Sequence, residues 1–113
     1  RCRCRCRMAS EAMALDTGLI EDGDGLVFQH LGAEEAEFLY QEIFVRRTYM
    51  QRGVSLPRTG RPTVVDVGAN IGLFSLFCDR ANPRCRLVAV EPAPAAFAVL
   101  ERNLSHIEDA TCV

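Results

Sequence analysis

The sequence predicts an α/β fold built on a parallel sheet, and three observations predict it. Thr63 to Val67 is β-branched and apolar apart from Asp66, which reads as a buried parallel strand. It leads into Gly68-Ala69-Asn70-Ile71-Gly72, where glycines permit a sharp turn and a close ligand approach, and then into the apolar residues 73–77, a helix whose N-terminus would face that ligand. A second run, Arg86 to Val90, ends in Glu91, whose carboxylate can accept hydrogen bonds from both hydroxyls of a ribose. Strand, glycine turn, helix, strand and acid make the first half of a Rossmann-like unit.

Taken in order, residues 1–24 read as a tail and linker without regular structure, ending in Glu21-Asp22-Gly23-Asp24-Gly25, whose acids and glycines favour a turn. A calcium loop would continue with further spaced oxygens and a closing glutamate, and this pattern stops. Residues 25–61 form a helical approach to the sheet. Within it, residues 26–30 suit a short strand, with His30 a surface or cap residue without a visible partner. Residues 33–52 suit one helix, with glutamates near its start, arginines near its end and Gly53 just after. Leu39, Ile43 and Met50 would share a face, and Glu42 and Arg46 would pair across one turn. Phe38, Tyr40, Phe44 and Tyr49 make the helix too apolar for a free surface, so they pack in the core or cover a bound cofactor. Residues 55–61, with Pro57 and Gly60, form a loop.

Residues 62–113 are the Rossmann-like part. After Glu91, Pro92-Ala93-Pro94 leads into a helix on which Phe97, Leu100, Leu104 and Ile107 recur at intervals of three and four. Asn103 and His106 lie near its end, where capping is the expected role. Thr111-Cys112-Val113 would begin a third strand.

The glycine spacing bears on the ligand. A dinucleotide fingerprint places three glycines so that a pyrophosphate can approach and the helix can pack on the strand. Here Gly68 is present, but Asn70 and Leu73 fill the other two offsets, and Asp66 would repel phosphates and attract an ammonium or sulfonium. The bland alternatives are that Asp66 caps the next helix through backbone N–H groups and that Glu91 is a solvated strand end.

The pattern Val65-Asp66-Val67-Gly68-Ala69-Asn70-Ile71-Gly72-Leu73-Phe74-Ser75, with Val88-Ala89-Val90-Glu91-Pro92 after it, resembles the FkbM-type S-adenosylmethionine-dependent methyltransferases. The resemblance covers roughly residues 35–113. It implies a Rossmann-like methyltransferase fold, truncated after the second strand-helix unit. It also implies that Asp66, Gly68, Asn70 and Gly72 hold the methionine part of S-adenosyl-L-methionine and that Glu91 holds its ribose. The implied activity is O-methyl transfer to a small-molecule or glycan hydroxyl. Catalytic residues on the acceptor side would lie beyond Val113, so none is assigned, and the fragment alone is expected to be inactive.

Composition bounds the rest. The 113 residues allow one domain, and an apolar fraction of 49% with 25% charged residues is ordinary for a globular chain. A complete methyltransferase sheet needs more strands than these residues supply, so the sequence reads as a fragment of a longer enzyme or a gene model cut short. The alternative is a non-catalytic Rossmann-like binding or interaction module, or a degenerate remnant. All 13 basic residues are arginine, and without the four in Arg1-Cys2-Arg3-Cys4-Arg5-Cys6-Arg7 nine oppose 15 acids. That acidity disfavours a nucleic-acid partner. Alternating cysteines in the opening tract lack the paired spacing of structural zinc sites and have no nearby histidine, which favours a repeat artefact or tail over a metal site. A basic tail touching RNA or acidic lipid is a third reading. Cys78 and Cys112 suit small buried thiols. No run of about 18 apolar residues and no secretory h-region occurs, so a cytoplasmic protein without a membrane span is expected.

Overall fold

A short antiparallel hairpin opens the computed structural model, which describes residues 18–113. Strands β1 (Leu19–Glu21) and β2 (Val27–Gln29) pair with Ile20 opposite Phe28. The sequence pattern assigns residues 19–21 to the linker, and the structure makes them a strand. Three residues with one inward side chain are too few to display alternation, so only the pairing partner reveals the strand. The Arg-Cys tract and the rest of residues 1–17 lie outside the described residues.

Between the strands the acids and glycines form the expected turn. Asp22 Oδ1 accepts from the N–H groups of Asp24 and Leu26 at 3.0 and 2.7 Å. Its Oδ2 accepts from the Tyr40 hydroxyl at 2.8 Å and from Arg80 at 2.7 Å, which ties the hairpin to two helices. Burial pushes the Asp22 carboxyl up, but the Leu26 N–H, the Arg80 guanidinium, the Tyr40 hydroxyl and the Asp24 N–H outweigh it and lower the pKa to about 2. A carboxyl whose folded pKa lies below its unfolded value of about 3.9 stabilises the fold above that value and loses its contribution as pH falls through the folded one. Thermal unfolding measured between about pH 5 and about pH 2 should therefore lose less stability in Asp22→Asn than in the parent. Equal losses would remove Asp22 as a contributor.

Helix α1 spans Ala33–Tyr40 and continues as a wide π-helical turn, Gln41–Val45, closed by the Arg46 N–H on the Gln41 carbonyl at 2.8 Å. Arg47 then takes a left-handed φ of 50°, and Thr48–Met50 forms a 3-10 turn. The single helix expected over residues 33–52 thus stops early, although no glycine or proline interrupts it. Side-chain packing sets the stop. Tyr40 stacks on Phe28 and on Phe44, with ring centroids 6.1 and 4.7 Å apart, and Phe44 meets the edge of Phe77 at 5.5 Å. Chain reversal at Arg47 then lets Tyr49 settle on Phe74 at 5.1 Å. Tyr40 and Phe44 are therefore packing residues and Phe38 is exposed, while Met50 leaves the face it was expected to share with Leu39 and Ile43. The Glu42–Arg46 pair forms as expected, and the Thr48 hydroxyl adds to it.

The main sheet holds β3 (Thr63–Val67), β4 (Arg86–Val90) and β5 (Ala110–Cys112), all parallel and in that order. Helices α2 (Leu73–Ala81) and α3 (Pro94–Leu104) make the crossovers. This is the expected α/β arrangement with the third strand begun. Leu73, Leu76, Leu87, Val99, Leu100 and Leu104 fill the core. The register sets Val65 beside Val88 and Val67 beside Val90, on the face opposite buried Leu87 and Ala89. On that face Val65 and Val67 are 60% and 78% exposed, so β3, expected to be buried, is covered on one side. Parallel sheets are ordinarily covered on both.

Two polar residues depart from expectation. His30 is buried, not a surface residue; its N–H donates to the Gly18 carbonyl at 3.1 Å, and its Nδ1 has no partner among the described residues. Asn103 is buried and bridges three backbone groups instead of capping α3. Cys78 is fully buried, and burial, followed by the Cys85 thiol and Asp66, pushes its pKa up to about 12, which suits packing and not nucleophilic chemistry. Among the described residues no helix is long and apolar enough to cross a membrane.

Candidate functional site

The loop between β3 and α2 turns through left-handed backbone at Gly68, Asn70 and Gly72, with φ of 79°, 49° and 89°. Its hydrogen bonds run to the end of β4. The N–H groups of Gly68 and Ala69 both donate to the Val90 carbonyl, at 2.9 and 3.0 Å, and the Asn70 N–H donates to Glu91 Oε2 at 2.8 Å. Glu91 Oε1 accepts from the Ala93 N–H at 2.8 Å. Glu91 is thus a clamp between the loop and the lead into α3, not a solvated strand end. A carboxylate has about four lone-pair sites, so two remain for a ligand.

Asp66 sits at the end of β3, where its Oδ2 accepts from the Ser75 hydroxyl at 2.8 Å. Burial pushes this carboxyl up, and the Ser75 hydroxyl and N–H oppose that rise. The Ser75 N–H belongs to the first turn of α2, so Asp66 also does the helix-capping work foreseen as its bland reading. Asp66, Gly68 and Asn70 line a groove of about 180 Å3, walled by Leu39, Ile43, Tyr49 and Phe74. Complete small-molecule pockets run to roughly 300–1,000 Å3, so the groove accommodates one part of a ligand.

The glycines divide the labour. A Cβ on Gly68 would meet nothing within 4 Å, which leaves the loop open to a ligand there. At Gly72 it would lie 2.7 Å from Leu100 Cδ1 in the core. Gly72 therefore faces α3, and of the five residues expected to bind cofactor it is the one whose open side serves packing.

Three contributors escaped sequence reasoning. Ser75 orients Asp66; Glu35 on α1 accepts from Asn70 Nδ2 at 3.3 Å; Asn103 binds the Ile71 carbonyl at 2.7 Å. Only Ser75 carried a signal, as a hydroxyl among apolar residues early in the helix. A larger groove of about 560 Å3, lined by Tyr40, Phe44, Phe77, Arg47 and Arg58, contains none of the expected residues. Among the described residues no cluster of three or more histidines, cysteines or acids is arranged for a metal.

Chemically, this loop is a poor phosphate cradle. Three successive N–H groups are already engaged, and the anion at the Asn70 N–H is the protein's own Glu91. Two carboxylates flanking a turn suit a ligand with cationic and hydroxyl groups.

Known proteins carry similar segments. The chain is 49% identical over 80 residues to the 31-O-demethyl-FK506 methyltransferase FkbM of Streptomyces tacrolimicus, covering 71% of this chain and 30% of that protein. Methyltransferase sdnD of Sordaria araneosa is 43% identical over 84 residues, covering 74% and 31%. A stretch of the AMB antimetabolite synthetase AmbE of Pseudomonas aeruginosa is 49% identical over 74 residues, covering 66% of this chain and 3% of that one. The chain thus spans less than a third of the length of these relatives. No protein-family model matches it. Among solved structures, coclaurine N-methyltransferase bound to N-methylheliamine and SAH aligns over 71% of this chain and 22% of its own, at 20% identity and a TM-score of 0.45, so the fold assignment rests on the strand order and crossovers themselves.

Proposed function

We propose that this chain, similar to FkbM and another methyltransferase over 71–74% of its length, carries the donor half of an S-adenosyl-L-methionine site. The observation that carries the reading is Glu91 on the Asn70 N–H, with the neighbouring loop N–H groups committed to Val90. A pyrophosphate finds the Gly68, Ala69 and Asn70 N–H groups already taken, whereas a ribose finds an oriented carboxylate. Open space at Gly68 and the groove beside Asp66 fit the amino-acid end of the same cofactor.

In this reading Asp66 attracts the cationic end, and Glu91 accepts from ribose hydroxyls through its two remaining lone-pair sites. Asn70 and Gly68 shape the turn, and Tyr49 on Phe74 walls the groove. S-adenosyl-L-methionine supplies an electrophilic methyl group. The residues present here bind and orient the donor, a contribution that operates through alignment of reacting atoms. The acceptor is a hydroxyl on a small molecule or glycan, and no described residue is assigned to it.

Isothermal calorimetry tests the donor site. S-adenosylhomocysteine should bind saturably at one site per chain and NAD should not. Binding of NAD, or the absence of any S-adenosylhomocysteine heat, would end this reading.

A further inference from the structure

The Asn103 side chain joins three elements. Its Oδ1 accepts from the Gln29 N–H at 2.7 Å, and its Nδ2 donates to the Gln29 carbonyl at 3.0 Å and the Ile71 carbonyl at 2.7 Å. It is 6% exposed, on the inward face of α3 beside Leu104. Gln29 ends β2, and Ile71 lies between the left-handed residues Asn70 and Gly72. Every hydrogen-bonding valence here is used for backbone recognition except one lone pair, which makes the amide a specific connector.

We propose that Asn103 is the positioning residue of the cofactor loop: by holding the Ile71 carbonyl it fixes the left-handed turn at Asn70–Gly72, and by holding Gln29 it links that turn to the N-terminal hairpin. The proposal rests on the donor-site reading for its effect on ligand affinity. The geometry continues on both sides of the bridge. Four residues beyond Gln29 the chain enters α1, which carries Glu35 against Asn70 and, with the π-helical turn after it, sets Leu39 and Ile43 against the groove. On the loop side, the Asn70 N–H meets Glu91. One buried amide therefore sets the distance between the α1 wall and the Glu91 clamp. Leucine at position 103 would fill similar space and leave the buried Ile71 carbonyl and the half-buried Gln29 N–H and carbonyl without this partner. Aspartate would keep the Gln29 N–H bond and turn an oxygen towards both carbonyls.

Hydrogen exchange on the unliganded protein gives a readout independent of the cofactor. Amides of residues 68–73 should exchange faster in Asn103→Leu and Asn103→Asp, while those of residues 86–90 keep the parent's protection. Unchanged loop exchange would overturn the proposal. S-adenosylhomocysteine affinity should fall about tenfold in both variants, the scale for a lost buried hydrogen bond; a looser loop with parental affinity would reduce Asn103 to a purely structural residue and overturn its positioning role. If the variants do not fold, NMR of the parent decides: the Asn103 side-chain amide protons should exchange slowly and shift on ligand addition, and rapid exchange would overturn the proposal. A parent that binds no S-adenosylhomocysteine would end the donor-site reading, and the exchange data would still decide whether Asn103 holds the loop.

Discussion

Gly72→Ala is expected to destabilise the fold by about 2–5 kcal/mol, whereas Gly68→Ala costs about 1–2 kcal/mol and acts chiefly on ligand binding. Both positions have left-handed φ, near 89° and 79°, so an L-residue meets the same backbone penalty at each. They differ in what a methyl group would touch. At Gly72 the Cβ stands 2.7 Å from Leu100 Cδ1 and 3.5 Å from Leu104, both fully buried, so the Leu100 side chain must shift within a filled core. Overpacking a dense core adds about 1–3 kcal/mol to the backbone term. At Gly68 the Cβ projects into space open for 4 Å, so nothing in the protein resists it. Denaturant unfolding of the two variants separates these cases. Equal losses of stability would mean that Leu100 and Leu104 move aside freely, and the assignment of Gly72 to packing would fail.

Glu91→Ala and Asp66→Ala should each weaken S-adenosylhomocysteine binding by about 1–3 kcal/mol, the scale of charge-assisted hydrogen bonds. The two losses have different origins. Glu91→Ala releases the Asn70 and Ala93 N–H groups together, so it removes a ligand acceptor and slackens the loop. Glu91→Gln retains an acceptor and should fall between alanine and the parent. Asp66→Ala removes the carboxylate in the groove and frees the Ser75 hydroxyl, but the loop keeps its bonds to Val90 and Glu91. Calorimetric affinity is the measurement, with unfolding followed in parallel. If affinity is unchanged in both alanine variants, these acids are structural caps and the donor site lies elsewhere.

Much of the sheet and of the loop was legible in the residues because the signals are local. Thr63 to Val67 and Arg86 to Val90 are β-branched and apolar runs, Gly68 and Gly72 mark backbone that turns left-handed, and Pro94 opens α3. The N-terminal half was less legible for the same reason. The π-helical turn, the reversal at Arg47 and the strand Leu19–Glu21 carry no glycine, proline or sustained alternation, and each is imposed by a neighbour distant in sequence.

By itself the sequence determined an α/β unit with strand, glycine turn, helix, strand and acid, and it selected Asp66, Gly68, Asn70, Gly72 and Glu91 as the residues around the turn. The strands, the turn and the helix follow from backbone sterics and side-chain periodicity, which act within a few residues, and the choice of those five residues as a set follows from the family resemblance. Only the tertiary structure decided what each residue touches: Gly72 the leucines of α3, Glu91 the Asn70 N–H, Asn103 the loop and the hairpin at once. Such roles depend on contacts between segments up to 74 positions apart, as from Gln29 to Asn103. They are settled by the filling of one shared core and by the pairing of buried polar groups such as Asn103, conditions that no short stretch of sequence can express.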